Sequence, residues 1–94
     1  MPKRTDSNQV QIVQALRGMG ASVFQTHALG RGFPDLAVGF RGINLLIEVK
    51  DGSKPPSKRR LTEDEQRFHE EWRGAVHIVE SVEDVVSLLN KGVG

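Results

Sequence analysis

Ninety-four residues, a formal net charge of +1 and a 37% hydrophobic content leave room for one core and no second domain, so residues 1–94 read as a single unit. A chain of this size buries roughly two-thirds of the surface its unfolded form exposes, a modest margin that pairing into a homodimer would widen. With no cysteine, disulfides and thiolate metal sites are excluded, and no apolar run approaches the roughly 20 residues that span a bilayer, so no membrane role is expected.

The first residues are polar and charged with no apolar stretch behind them, so no signal peptide is read there and a cytoplasmic location is expected. Residues 1–6 read as a flexible tail. Asp6 or Ser7 then caps a first helix, in which Val10, Val13, Leu16 and Arg17 follow helical spacing and Ile12 and Ala15 broaden the apolar face. Gly18 and Gly20 end it. Ala21 to Thr26 reads as a strand, and His27 to Phe33, with Gly30-Arg31-Gly32, as a flexible loop. Pro34 to Gly39 is a second strand with proline at its first position. Phe40-Arg41-Gly42 is a tight turn, and Ile43 to Lys50 a third strand, apolar enough to be central and covered on both faces.

Gly52, Pro55 and Pro56 exclude regular structure from Asp51 to Arg60. Thr62-Glu63-Asp64-Glu65 is a capping box opening a second helix, on which Phe68 and Trp72 lie one turn apart with the spacing that packing requires, and so read as core or dimer contacts rather than base-stacking groups. Gly74 stops that helix. Ala75 to Val79 is a fourth strand, and Ser81 caps a last helix with Val82, Val85, Val86 and Leu89 as its stripe. Residues 91–94 read as a frayed tail. The order α-β-β-β-α-β-α predicts an α/β fold, a four-stranded mixed sheet flanked by helices.

The chemistry concentrates between Gly32 and Lys50. Asp35 opens one apolar strand, and Glu48 and Lys50 close another on a shared face, because strand side chains alternate. Charges in such strands are costly unless paired or bound to a metal. Two carboxylates and an ammonium brought together would hold a hard divalent cation and steady phosphate charge. Each residue alone also has a plainer reading. Asp35 could be a turn residue, Glu48 and Lys50 a salt-bridged strand face, and Gln9 and Gln66 solvated helix positions. Lys54, Lys58, Arg59 and Arg60 crowd one loop, a basic patch suited to a phosphate backbone, and Arg31 in the glycine loop is a further candidate contact. The histidines lack the paired spacing of a zinc site.

Pro34-Asp35 followed about a dozen residues later by Glu48-Val49-Lys50, on consecutive strands, resembles the PD-(D/E)xK nuclease superfamily with its restriction-endonuclease-like fold. Gly20-Ala21-Ser22-Val23, Gly32-Phe33-Pro34-Asp35-Leu36, Glu48-Val49-Lys50-Asp51-Gly52, Leu61-Thr62 with Gln66, and Ser81-Val82-Glu83-Asp84 together resemble the phage and bacterial stand-alone VRR-NUC domains. The resemblance implies an endonuclease hydrolysing DNA phosphodiesters with Mg2+ or Mn2+, acting on branched DNA as a homodimer. It implies Asp35, Glu48 and the Val49 carbonyl as metal ligands, Lys50 as the catalytic lysine, and Gln66 as a supporting polar residue. One position departs from the pattern. Gln9 stands where such domains commonly carry a glutamate that completes the metal site, and an amide keeps an acceptor oxygen but loses the charge. A second function follows from that departure, a module that binds DNA structures with weak or no catalysis.

Overall fold

The computed structural model describes residues 8–91. The tail at 1–6 and the Asp6 or Ser7 cap lie outside these residues, as does the tail beyond Lys91. Helix α1 (Gln9–Gly18) leads to β1 (Ser22–Gln25), β2 (Leu36–Phe40) and β3 (Ile43–Val49), followed by α2 (Glu63–Glu71), β4 (Val76–Val79) and α3 (Val82–Asn90). This is the expected α/β order, with strand ends shifted by one or two residues. The four strands form one sheet in the order β1-β2-β3-β4. β1 and β2 run antiparallel, as do β2 and β3, while β4 returns parallel to β3.

The β2–β3 hairpin closes on two residues. Phe40 pairs with Ile43, and Arg41 and Gly42 between them take φ values of 51° and 81°. Positive φ at both central positions matches the right-handed twist of the flanking strands. Phe40 therefore belongs to the strand, not to the turn, and the Arg41 guanidinium lies over its ring at 4.9 Å.

One face of the sheet holds the core. Val23, Val38 and Leu45 are register partners across β1, β2 and β3, and Leu36, Ile47, Val49 and Val79 continue the same face. Ile12, Val13 and Leu16 of α1 and Val85 and Leu89 of α3 bury against them. The inward positions of α1 are thus 9, 12, 13 and 16, a true helical stripe, whereas Val10 is exposed. On α3 likewise Val85 and Leu89 are buried and Val86 is outside.

The opposite face departs from the expectation of cover on both sides. A register row of Phe24, Ala37, Leu46 and Val76 crosses all four strands there, and Phe24 is 78% exposed. Burial on this face is confined to the C-terminal end of β3, where Glu48 is fully enclosed. Two segments expected as irregular each contain one 3-10 turn, His27–Leu29 and Pro56–Lys58. Among the described residues no helix is long and apolar enough to cross a membrane.

Candidate active site

The site is assembled where β2 and β3 separate. Their ladder begins at Leu36 opposite Ile47. One step further the Val49 amide faces β2, and it donates to Asp35 Oδ2 at 2.8 Å. Asp35 supplies with its side chain the acceptor a continuing strand would supply with its backbone, so the carboxylate is held in the sheet's hydrogen-bonding plane. The end of β1 fixes the same segment. The Thr26 amide donates to the Asp35 carbonyl and the Thr26 hydroxyl to the Pro34 carbonyl, both at 2.7 Å.

Glu48 and Lys50 flank Val49 on one side of β3, as alternation requires. Lys50 Nζ lies 3.7 Å from Glu48 Oε2 and 2.7 Å from Glu65 Oε1. Its backbone is anchored as well. The Lys50 amide donates to the Val79 carbonyl at 2.9 Å, and Asn8 Nδ2 donates to the Lys50 and Glu80 carbonyls at 3.0 and 3.1 Å. Asn8 precedes α1, so the start of that helix is pinned to the ends of β3 and β4.

Glu65 belongs to this cluster, and Gln66 does not. The capping box is formed as its sequence requires, with Glu65 N donating to Thr62 Oγ1 at 3.2 Å and Thr62 N donating to Glu65 Oε1 at 2.9 Å. The reach back toward the N-cap turns the Glu65 carboxylate inward, where it is buried against Lys50. One residue on, Gln66 points outward, exposed, and its amide donates to Glu70 Oε2 at 3.0 Å. The signal that finds Glu65 is the third helical position of the capping box, because that position must face the chain entering the helix. Gly32 brings the two parts together. At φ +77° it lies against the first turn of α2, where a Cβ would strike the Asp64 carbonyl.

Gln9 is 1% exposed, on the buried stripe of α1. Its Nε2 donates to Gln25 Oε1 at 3.3 Å, while Oε1 is buried without a hydrogen-bond partner among the described residues. Of the basic loop, Lys54, Lys58 and Arg60 are exposed. Arg59 is partly buried and paired with Glu80 at 3.0 Å, which makes it part of the loop's anchorage. Arg31 is exposed, at φ +57°.

Two buried carboxylates, Glu48 and Glu65, flank the Lys50 ammonium, and a third, Asp35, is bonded to the adjoining Val49 amide. Among the described residues no three His, Cys, Asp or Glu side chains gather as a metal-holding group. Backbone and amide oxygens lie beside Asp35 and Glu48 as further oxygen donors. The orphaned Gln9 Oε1 is an oxygen of that kind. The donor set is all oxygen, two carboxylates with neutral amide and backbone oxygens, which suits a hard cation such as Mg2+ or Mn2+.

No family model matches the chain, and no curated protein matches it. A solved structure described as a VRR_NUC domain is similar to it, with 29% sequence identity and a TM-score of 0.67, over 89% of this chain and 91% of the other.

Proposed function

From the premise that this chain is a VRR-NUC domain with the restriction-endonuclease-like fold, we propose that it hydrolyses DNA phosphodiester bonds with the help of a divalent metal. The observation that carries this reading is the Lys50 ammonium held between Glu48 and Glu65, on the strand whose Val49 amide grips Asp35. Asp35, Glu48, the Val49 carbonyl and the Gln9 carbonyl oxygen would hold Mg2+ or Mn2+. Bound there, the ion would polarise the scissile phosphate and lower the pKa of attacking water.

The chain's own residues supply the rest. Lys50 is a positive charge whose backbone is held at both its amide and its carbonyl and whose ammonium is held by Glu65 and Glu48. Preorganised charge of this kind steadies the negative charge that develops on the phosphate without reorganising during the reaction. Asp35 is oriented by Val49 N and Thr26 N, so one carboxylate oxygen is committed to structure. Lys54, Lys58 and Arg60 would hold backbone phosphates without reading bases. A homodimer would present two such sites to two strands of a branched DNA.

The testing experiment is cleavage of flap, junction, single-stranded and duplex DNAs with Mg2+ or Mn2+ and with a chelator. Metal-dependent cleavage of at least one branched substrate is expected, alongside a dimer by sedimentation. Binding without cleavage at any metal concentration would replace this reading with the second one, a structure-binding module. The observation favouring that alternative is Gln9, which is uncharged and whose amide nitrogen is engaged by Gln25.

A further inference from the structure

Glu65, Phe68 and Trp72 are spaced by three and four residues and share one face of α2, continued into its C-cap. Glu65 meets Lys50, so this face runs from the active site outward along the helix. Phe68 and Trp72 stack with ring centroids 5.0 Å apart and an interplanar angle of 18°. Phe33, two residues before Asp35, meets both rings edge-on at 5.3 and 6.4 Å and so braces the pair from the β2 side. None of the three belongs to the buried core. Trp72 remains 45% exposed. It borders an open cavity of about 610 Å³ lined by Arg31, Asp64, Arg67, Phe68, Glu71 and Trp72.

Resting on the nuclease reading, we propose that this cavity takes an unpaired nucleotide of the DNA substrate, its base stacked on Trp72 and its phosphate on Arg31. The two cations of the cavity differ. Arg67 lies within 3.7 Å of Glu63 and 3.5 Å of Asp64, on its own helix. Arg31 makes no ion pair among the described residues and stands on the loop that leads through Phe33 and Pro34 to Asp35. A guanidinium without an ion pair among the described residues, beside a braced aromatic pair, complements one phosphate and one base. A blunt duplex fits this surface poorly, because it offers Trp72 no unstacked base and brings a second backbone toward the cavity's Asp64 and Glu71. Distance fixes the place in the substrate. Two helical turns separate Glu65 from Trp72, roughly 10 Å of rise. That is about three steps of a stacked strand at ~3.4 Å each, so the stacked base lies within about three nucleotides of the phosphate at Lys50. The substrate class is then a DNA carrying a single-stranded segment immediately beside the cleaved bond, such as a flap or a frayed branch.

Trp72 is the only tryptophan and there is no tyrosine, so intrinsic emission reports on this site alone. The full chain is titrated in chelator with a short single-stranded oligonucleotide, a flap and a blunt duplex. Saturable quenching by the first two and little by the third is expected. With dye-labelled flap DNA, Trp72→Leu should bind at least about tenfold more weakly and Trp72→Phe nearly normally. Arg31→Ala should lower the salt slope by about one. Unfolding midpoints confirm that each variant is folded. Equal flap affinity of Trp72→Leu and wild type, or emission unmoved by single strands, overturns the proposal. So does emission that follows protein concentration without DNA, which would assign the platform to a second copy of the chain. Quenching through Trp72 without cleavage in Mg2+ or Mn2+ would leave the platform standing and remove the nuclease reading, whereas cleavage with no Trp72 response would do the reverse.

Discussion

Glu65 Oε1 receives the Lys50 ammonium at 2.7 Å while the same oxygen receives the Thr62 backbone N–H at 2.9 Å. A single carboxylate oxygen thus closes a helix and positions the lysine of the site. The two roles separate by substitution. Glu65→Gln keeps a capping-box acceptor but breaks the buried pair with Lys50, so it should destabilise by up to about 3 kcal/mol, less than Lys50→Ala because Glu48 still faces the ammonium, while cleavage falls because Lys50 loses its closest charge partner. Thr62→Ala removes the hydroxyl half of the cap, costing about 1 kcal/mol, and leaves Lys50 in place with near-normal turnover. Gln66→Ala, on the outer surface, should change neither. Thermal unfolding and cleavage rates on the four proteins check this, and equal activity loss in Glu65→Gln and Gln66→Ala would contradict it.

Under the proposed function Asp35 is chemical as well as structural. Asp35→Ala should abolish cleavage by on the order of a hundredfold or more. It should also destabilise by roughly 1–3 kcal/mol, because the buried Val49 amide loses its acceptor. Asp35→Asn restores an acceptor and should recover most of the stability but little of the activity. Full activity in a folded Asp35→Asn would remove Asp35 from the metal site.

Lys50→Ala leaves Glu48 and Glu65 buried with their shared ammonium gone. Breaking a buried pair this way costs about 3–5 kcal/mol, so loss of activity in that variant alone is ambiguous. Raised divalent-metal concentration should return stability to Lys50→Ala, by replacing the missing positive charge, without returning cleavage. An unfolding midpoint indifferent to Mn2+ would count against a cation site here.

Gln9→Glu places a carboxylate at a buried position beside Gln25. Without metal the variant should be less stable, since a buried charge lacks a partner. With Mn2+ it should gain more stability than wild type does, because an added anionic oxygen tightens the ion, and binding to the folded state raises the midpoint. Parallel curves for the two proteins across a manganese titration would make Gln9 a structural amide only.

Neutralising Lys54, Lys58 and Arg60 together should weaken DNA binding and reduce the salt slope by up to about one per lost phosphate contact. Arg59→Ala should behave differently. Its ion pair with Glu80 is partly exposed, worth about 0–1 kcal/mol, and its loss should loosen the loop more than it changes the salt slope. Identical slopes for the triple variant and wild type would show that the loop does not touch phosphates.

Local patterns in the sequence determined the element order, the Arg41-Gly42 hairpin and the capping box from Thr62 to Glu65. Each depends on periodicity or turn chemistry over a few neighbouring residues, so each is legible without the rest of the chain. The phase of each helix against the sheet was not. Whether 9, 12, 13 and 16 or 10, 13 and 16 face inward on α1 is decided by packing against β1 and α3, which buries Gln9 and exposes Val10. The same holds for α2, where a rotation of one residue separates Glu65 in the site from Gln66 in solvent. Two adjacent polar residues carry nearly the same local propensity. Only the position of Lys50 on a distant strand, and the close approach of Gly32 to the helix start, decide which one is turned inward.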